Sequence, residues 1–498
     1  MRSLAMLKTM ILTMLTVIVL AATPVWAAAK PNLVLIMMDD LDAPSAQQMP
    51  QTLQLIASQG VTFDRAYATA TLCLPARATF FTGRYPHTTG MRNGGHKKFH
   101  QLHLDVESLG PWLQKAGYQT AFFGKYVNDY PRGAPNTFVP PGWSRWVGAT
   151  FEQFYSQYDY GMNEDGTLVS YGHTPADYFT DVLSRKSIEF LDTATAAVPA
   201  KPFAMIISPS APHVPLVVAP RDLSLFPADI VPRTPGFGEK VVRDKPPFMR
   251  RTMTQAKMDS IDAAYRKRLR MLAAADDLVA AVVNGLQTRG LLANTYIFVT
   301  SDHGYHMGQH NLKPDKMTAF EEDIRIPLMV RGPGVPTAVH LPHVVINNDF
   351  APTLVALGGG TVPTNVDGRS FASLLGSTPP DTATWRKSFL ITRLPGGVPL
   401  APPVPYPPLT KEYGCAIATP TAFLPEYWAV RTSRYTYVEY ANGDRELYDD
   451  IADPDQLVNK YCFASADLLA SLSSLLNSLK TCSGATCNAA ENQDVAPM

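Results

Sequence analysis

Apolar runs with strand character alternate with helical patterns along most of the chain from residue 31 onward. NLVLIMM at residues 32–38 and TYIFVT at residues 295–300 are continuous apolar runs of strand length. The segment MPQTLQLIASQG follows the first run and predicts a helix that ends at Gly60. This alternation favours an α/β fold, in which helices cover a sheet.

Further helix and strand pairs extend this pattern. SLGPWLQKAG predicts a helix and YQTAFFG the strand after it, and VVINNDFAPTLVALGG gives one more strand and helix. A long helical pattern covers about residues 259–289, and its basic run RKRLR, residues 266–270, predicts a solvated face.

The character of the sequence changes at about residue 380. RLPGGVPLAPPVPYPPL is rich in proline and glycine and predicts a loop or linker. After it, YWAVRTSRYTYVEYANGDRELYD predicts strands around an Asn-Gly turn, and SADLLASLSSLLNSL predicts a closing helix. A chain of 498 residues exceeds one typical domain. We therefore predict a main domain at residues 28–380 and a smaller β-rich subdomain at residues 381–498.

The first 27 residues have the features of a secretory signal peptide. A positively charged start precedes the apolar stretch MILTMLTVIVLAA and a small-residue cleavage site near Ala27. That stretch is shorter than the ~20 residues that a membrane span needs, and no later segment qualifies. The sequence predicts a secreted or periplasmic protein without stable membrane insertion.

Five cysteines in an exported protein leave at least one unpaired. Cys482 and Cys487 are close in sequence, and Cys415 and Cys462 form a second candidate pair, so Cys73 is the leftover. A leftover cysteine is most often a small buried apolar residue. The neighbours of Cys73 therefore decide its interpretation.

The chain has no net charge, since 43 Lys and Arg residues balance 43 Asp and Glu residues. Overall charge therefore gives no reason to expect binding to nucleic acid or to an acidic membrane. Any anion must be bound by local groups.

Two predicted strands end in acidic pairs, Asp39 with Asp40 and Asp302 with His303. Either pair alone fits a helix cap or a turn. Ligands of α/β sheets bind beyond the carboxyl ends of strands, however, and three converging carboxylates need a cation. Calcium accepts such oxygen ligands in irregular geometry. Imidazole suits softer metals, so His303 could instead orient a carboxylate or the substrate.

Cys73 lies at the predicted start of a helix that contains Pro75 in its first turn and ends at Gly83. The free N–H groups and the dipole of a helix N-terminus favour an anion there. Arg77, one turn into the helix, offers a planar fork to the same oxygens. A nucleophile, a helix N-terminus and an arginine together fit a tetrahedral oxyanion.

The motif CLPAR followed by TGRYPH resembles the signature of the type I, formylglycine-dependent sulfatases, Cys-x-Pro-x-Arg and then Thr-Gly. The resemblance continues through PNLVLIMMDD, FFGKY, SPSAPHVP, TSDHGYHMGQH and DIRIPLMVRGPG. GKYVNDYP and PPGWSRW are similar to the N-acetylglucosamine-6-sulfatase and heparan endosulfatase branch. The resemblance implies an alkaline-phosphatase-like fold, in which helices sandwich a large mixed sheet and a smaller C-terminal antiparallel sheet follows.

The resemblance also implies a sulfatase mechanism and its residues. A formylglycine-generating enzyme would oxidise Cys73 to formylglycine, whose hydrated diol attacks sulfur, forms a sulfated intermediate and then releases sulfate. The residues that match the family's calcium site are Asp39, Asp40, Cys73, Asp302 and His303. Those that match its catalytic and sulfate-binding groups are Arg77, Lys125, Lys316 and His213, the last as proton donor to the leaving alcohol.

The base that deprotonates the diol is not assigned by the resemblance. Many sulfatases have a histidine where this chain has Val127. His306 and His310 are the candidates, and His310 resembles a histidine of several relatives; both also fit loop histidines bonded to backbone.

The resemblance implies an arylsulfatase-like or N-acetylglucosamine-6-sulfatase-like enzyme whose substrate is a sulfated glycan, of the glycosaminoglycan type, or a small sulfate ester. A 6-sulfated glucosamine unit is the expected substrate, cut at a chain end or internally. Phosphate or phosphonate ester hydrolysis on the same framework and an inactive glycan-binding relative are the alternatives. The aromatic stretch GWSRWVGATFEQFYSQYDYG fits either stacking on sugars or core packing.

Overall fold

The computed structural model of the protein describes residues 30–196, 201–394 and 424–495. The predicted signal peptide, most of the proline-rich segment and Cys415 lie outside these residues. Among the described residues, no helix has both the length and the apolar character needed to cross a bilayer.

A large mixed sheet forms the centre of the protein, and in the described part of the chain it has ten strands in the order β10-β2-β9-β8-β1-β7-β3-β4-β5-β6. The strands are β1 Asn32–Met38, β2 Val61–Tyr67, β3 Gln119–Gly124, β4 Arg145–Thr150, β5 Tyr160–Glu164, β6 Thr167–Tyr171, β7 Phe203–Ser208, β8 Thr295–Ser301, β9 Leu328–Arg331 and β10 Val339–Ile346. The central strand β1 is parallel to both neighbours, β7 and β8. Strand β9 is antiparallel to β2 and β8, and β5 and β6 form an antiparallel edge. The predicted strands NLVLIMM, YQTAFFG and TYIFVT are therefore confirmed.

A second, antiparallel sheet follows in the order β11-β12-β13-β14. Its strands are β11 Phe389–Arg393, β12 Tyr427–Arg431, β13 Tyr435–Tyr440 and β14 Arg445–Asp449. The Asn-Gly turn between β13 and β14 is formed as predicted, and Gly443 adopts a φ of 94° there. These two sheets confirm the predicted fold class, whereas the domain boundary at residue 380 stays a prediction.

Helices cover the large sheet and close the small one. They are α1 Ala43–Ala46, α2 Pro50–Leu55, α3 Cys73–Thr82, α4 Pro86–Thr89, α5 Gly95–Gln101, α6 Leu109–Lys115, α7 Phe179–Ala196, α8 Gln255–Thr288, α9 Glu321–Ile324, α10 Phe350–Leu357, α11 Ala466–Thr481 and α12 Ala485–Glu491. Helix α8 begins four residues earlier than predicted because the Thr254 side chain caps it by accepting the Lys257 N–H. The prediction of a solvated face for RKRLR is wrong at Arg268, which is only 1% exposed.

Both faces of the large sheet are covered, which explains the continuous apolar run in β1. Val34 and Ile36 pack into the core shared with α7 and α8, whereas Leu33 and Leu35 pack into the core shared with α6 and α10. With both faces sealed, a ligand has access to the central strands only at their ends.

The cysteines are partly as predicted. Cys482 and Cys487 form a disulfide, and Cys73 is free and buried. The other candidate pair includes Cys415, so that pairing stays a prediction.

Candidate active site

The two predicted acidic pairs meet at the carboxyl ends of neighbouring strands. Strands β1 and β8 are parallel and in register, so that Met38 lies opposite Ser301. The backbone N–H of Asp40 donates to Asp302 Oδ1 at 3.1 Å, and Asp40 adopts a φ of 65°. The left-handed conformation at Asp40 is one that aspartate tolerates better than most residues. It turns the chain sharply after β1, and Asp39, Asp40 and Asp302 are all buried.

Helix α3 delivers Cys73 to this acidic cluster. Cys73 is the first residue of the helix, Leu72 is the N-cap, and Gly83 ends the helix with a φ of 66°. The Cys73 sulfur lies 3.6 Å from Asp39 Oδ1, 3.5 Å from His303 Nε2 and 3.0 Å from Lys316 Nζ. The helix N-terminus, the acids and a lysine therefore converge on one side chain.

Arg77 ties the helix to the metal-binding candidates. Its Nε donates to Asp302 Oδ2 at 2.9 Å, and its Nη1 donates to the Lys125 carbonyl and to Ser208 Oγ, both at 2.8 Å. Its Nη2 is buried without a hydrogen-bond partner, 3.7 Å from Asp39 Oδ1. A buried N–H without an acceptor costs free energy, and an anion bound beside Cys73 would supply the acceptor that this donor lacks.

Two buried lysines pair with the first two aspartates. Lys125 Nζ lies 2.6 Å from Asp39 Oδ2, and Lys316 Nζ lies 2.5 Å from Asp40 Oδ1. Gly124 positions Lys125: its φ is 106°, and a Cβ there would lie 2.2 Å from the Ser208 carbonyl oxygen. Only glycine lets β3 end so close to β7.

His213 lies at the solvent-facing side of the cluster. Its Nε2 is 3.8 Å from Asp40 Oδ2, and its side chain is 16% exposed, whereas those of Asp39 and Asp40 are essentially buried. Nδ1 contacts the Val214 carbonyl, which can only accept, so Nδ1 carries the proton. Burial lowers the pKa of His213, but Asp40 and Asp39 raise it more, so the net direction is upward.

The positive side chains control ionisation at the nucleophile position. Burial alone would raise the pKa of the Cys73 thiol, but the charges of Lys125 and Lys316 hold that pKa well below its usual value. Burial likewise opposes ionisation of Asp39, yet Lys125 and His213 keep the pKa of its carboxyl well below the usual range. The lysines therefore favour negative charge at residue 73 and at Asp39, whereas burial raises the pKa of Asp302.

The residues around Cys73 could hold a metal ion. One ligand atom each from Asp39, Cys73, Asp302 and His303 lies within 4.8 Å of the others. Asp40 Oδ2 is buried without a hydrogen-bond partner. His303 Nδ1 contacts the Gly304 carbonyl and so carries a proton, and Nε2 faces the cluster. Burial lowers the pKa of His303, but Asp302 raises it to about 9, so a bound metal ion would have to displace the proton from Nε2.

Charge counting permits a metal ion without requiring one. The three carboxylates are balanced by Arg77, Lys125 and Lys316, so the protein groups alone are formally neutral when the histidines are neutral. A divalent cation would make the site positive and complementary to an anionic ester.

The two candidate bases lie against other partners. His306 Nδ1 is 2.8 Å from Asp323 Oδ1, and His310 Nδ1 is 2.8 Å from Glu239 Oε2. The His310 ring also stacks on Phe320, with 3.7 Å between ring centroids. Among the described contacts, neither histidine reaches Cys73, although His306 lines the same pocket as Lys316.

Two residues of the site were missed from the sequence. Tyr155, in the aromatic stretch noted above, stacks on His213 with ring centroids 4.3 Å apart. Arg268, in the RKRLR run, donates to the Asp40 carbonyl at 2.6 Å and to the Pro212 carbonyl at 3.2 Å. In the sequence, Tyr155 is only one of several aromatic residues in that stretch, and nothing singles it out. The sequence favours a solvated position for Arg268, because charge runs on helices are usually solvated.

Comparison with known proteins relates this site to a family. The family model described as Sulfatase matches residues 31–360. N-acetylglucosamine-6-sulfatase of Capra hircus is 34% identical over 483 residues, which cover 92% of this chain and 85% of that protein.

Two solved structures share the fold. One is a complex of a protein with its substrate D-glucosamine-2-N,6-O-disulfate; it is 24% identical, with a TM-score of 0.67 over 90% of this chain and 97% of that chain. The other is a phosphonate monoester hydrolase from Silicibacter pomeroyi; it is 22% identical, with a TM-score of 0.67 over 90% of this chain and 94% of that chain.

Proposed function

Because this chain belongs to the sulfatase family and is a sulfuric ester hydrolase, we propose that it is an exported enzyme that hydrolyses sulfate monoesters of sugars of the 6-sulfated glucosamine type. The resemblance of the sequence to the sulfatases and to their N-acetylglucosamine-6-sulfatase branch is thereby confirmed.

One observation carries the proposal: Lys316 Nζ, His303 Nε2 and Asp39 Oδ1 all lie within 3.6 Å of the Cys73 sulfur. Burial of three charged or titratable groups costs free energy, and such neighbours are not expected around a buried thiol with a purely structural role. This convergence supports Cys73 as the position of the nucleophile.

Two groups that are added to the chain supply part of the chemistry. As formylglycine, made from Cys73 by a separate maturing enzyme, residue 73 would supply a diol oxygen that attacks sulfur. Calcium, held by Asp39, Asp40, Asp302, His303 and residue 73, would supply positive charge beside the nucleophile and the sulfate.

The cationic side chains bind and orient the sulfate group. The free Nη2 donor of Arg77 and the ammonium groups of Lys125 and Lys316 surround residue 73. Their positions are fixed by buried hydrogen bonds before substrate arrives, so they need no reorganisation during the reaction. Preorganised donors of this kind are each typically worth about 3–4 kcal/mol of barrier.

His213 donates a proton to the leaving alcohol. Its Nε2 faces Asp40 at 3.8 Å, and its side chain is 16% exposed, so the ring can reach both the site and a substrate that enters from solvent. This position lies between the sulfate-binding groups and the open side of the site, where the sugar must lie. General acid help contributes typically about 10²–10⁴ in rate, and it matters most for an alkoxide, which is a poor leaving group.

The substrate assignment rests on the similarity to N-acetylglucosamine-6-sulfatase over most of both chains. Export rests on the features of residues 1–27. An inactive glycan-binding protein is disfavoured because pure binding would not require the nucleophile position, the acids and the proton donor together.

The phosphate ester alternative is tested by substrate comparison. The matured enzyme is assayed with 4-nitrophenyl sulfate, 4-nitrophenyl phosphate and N-acetylglucosamine-6-sulfate, with a Cys73→Ala variant as the matched control. We expect a higher kcat/KM for the aryl sulfate than for the aryl phosphate, release of sulfate from the 6-sulfated sugar, and no turnover by the variant. A faster phosphatase reaction, or an active Cys73→Ala variant, would refute the proposal.

A further inference from the structure

We propose that Tyr155 is a positioning residue, whose ring holds the imidazole of His213 in the orientation needed for proton donation. The inference rests on the proposed role of His213 and adds a residue to it. Tyr155 belongs to the short 3₁₀ helix Gln153–Ser156, which follows strand β4.

The Tyr155 ring contacts both kinds of functional group in the site. It stacks on the His213 ring at an interplanar angle of 23°, with centroids 4.3 Å apart. Lys125 Nζ lies 5.0 Å from the centroid of the same Tyr155 ring, within cation–π range. The Tyr155 ring therefore contacts both the proposed proton donor, His213, and a proposed sulfate-binding lysine, Lys125.

His213 has few other restraints on its ring. Its Nδ1 contacts the carbonyl of the next residue, Val214, its Nε2 lies 3.8 Å from Asp40 Oδ2, which exceeds hydrogen-bond length, and its remaining polar partner is the Cys73 sulfur, a weak acceptor. The side chain is also partly exposed to solvent. A flat ring against its face is thus the contact best placed to prevent rotation of the imidazole.

The segment that carries Tyr155 is itself fastened to the segment that carries His213. Gln157 Nε2 donates to Ser210 Oγ at 2.8 Å, and the His213 backbone N–H donates to the Ser210 carbonyl at 2.8 Å. Gln157 also accepts the Phe179 N–H through its carbonyl at 3.0 Å, which anchors it to helix α7. The stacked pair is therefore held from both backbones.

Leaving-group dependence separates positioning from a general structural role. An alkoxide leaving group needs a proton donor. 4-Nitrophenolate hardly needs one, because 4-nitrophenol is far more acidic than an alcohol and leaves as the anion. We compare kcat/KM for N-acetylglucosamine-6-sulfate and 4-nitrophenyl sulfate in Tyr155→Leu and Tyr155→Phe. Tyr155→Leu should lose roughly 10-fold or more on the sugar sulfate relative to the aryl sulfate, because misplacement of the proton donor affects only the sugar sulfate, whereas loss of the contact with Lys125 lowers both activities alike. Tyr155→Phe, which keeps the ring, should restore the sugar sulfate activity.

Tyr158→Leu is the matched control. Tyr158 lies three residues further along the chain, and its ring packs against that of a different histidine, His173, at an interplanar angle of 34° with centroids 4.6 Å apart. The same aromatic-to-leucine change there should not alter the ratio of the two activities. Equal losses of Tyr155→Leu on both esters, or a Tyr155→Phe variant as impaired as Tyr155→Leu, would overturn the inference.

A double-mutant cycle with His213→Ala distinguishes this inference from the function it rests on. His213→Ala should show the leaving-group-dependent loss, and adding Tyr155→Leu should cost less than about twofold more on the sugar sulfate, since the group that it positions is gone. A His213→Ala variant without leaving-group dependence would refute His213 as proton donor and the inference with it. A dependent His213→Ala variant combined with an additive effect of Tyr155→Leu would refute the inference alone.

Discussion

The ammonium nitrogen of Lys316 lies 3.0 Å from the sulfur of Cys73, although the two residues are 243 positions apart in the chain. The same nitrogen lies 2.5 Å from Asp40 Oδ1. One buried cation thus contacts both the position of the nucleophile and a carboxylate of the proposed metal site. This contact makes residue 73 a place where negative charge is stabilised.

The first prediction concerns the thiol before maturation. In protein made without the maturing enzyme, Lys316→Met should raise the pKa of Cys73, because a positive charge that favours the thiolate is removed. The pKa is followed by thiolate absorbance, as the difference between each protein and its Cys73→Ser counterpart. Lys313→Met, at a side chain 64% exposed, should leave the pKa unchanged, and an unchanged pKa in Lys316→Met would contradict the electrostatic account.

The second prediction concerns Arg77. Arg77→Lys keeps the charge but loses the fork that contacts Asp302, Ser208 and the Lys125 carbonyl. It also loses the free Nη2 donor, so kcat/KM should fall by about 10²–10³, the typical effect of one lost preorganised donor. Activity is measured on samples whose folded fraction is matched by circular dichroism. A loss below threefold would show that Arg77 does not act on the sulfate.

The third prediction concerns metal removal. Chelation should lower the melting temperature and abolish turnover, since Asp39, Asp40 and Asp302 would lose a shared cation. Added calcium should restore both, and at about 100 times its Kd the ion adds roughly 2.7 kcal/mol of stability. Asp302→Asn should shrink the shift in melting temperature. Metal-free protein, verified by elemental analysis, with full activity would rule out the calcium site.

The fourth prediction concerns stability in acid at His96, which lies outside the active site. Its ring is buried, Nδ1 contacts the Arg132 carbonyl at 3.0 Å, and Nε2 has no hydrogen-bond partner. Burial lowers the pKa of His96 below its ordinary value of 6.5. Below pH 6.5 the unfolded chain therefore binds a proton at His96 that the folded protein does not bind. The free energy of unfolding decreases as the pH is lowered, by at most about 1.4 kcal/mol per pH unit from this one group.

His96→Gln, which keeps a hydrogen-bond donor, should weaken this dependence. Urea unfolding at pH 7.5 and pH 5.5 gives the loss of unfolding free energy for each protein. The loss should be smaller for His96→Gln than for the wild-type chain, and equal losses would mean that His96 is protonated in the folded state.

Much of the site could be predicted because its residues follow regular elements. Asp39 and Asp302 each come directly after a continuous apolar strand, and parallel strands bring their carboxyl ends to one edge. Cys73 could be placed because proline and glycine mark the two ends of its helix. These are local signals, and the structure places all three residues together.

Other parts depend on contacts between distant segments, which a single sequence does not encode locally. The position of Tyr155 depends on Gln157 bonding to Ser210, and Arg268 is buried because the turn after β1 presents the Asp40 carbonyl to it. The order of the strands likewise follows from long-range pairing. A resemblance placed His310 near the chemistry, whereas the structure pairs it with Glu239.

The most direct measurement is mass spectrometry of the peptide that contains residue 73, from protein made with and without a formylglycine-generating enzyme, with sulfatase activity measured on the same samples. The account predicts that activity rises in proportion to the fraction of residue 73 present as the aldehyde, and that protein with an intact thiol there is inactive. Full activity in protein whose Cys73 remains an unmodified thiol would contradict it.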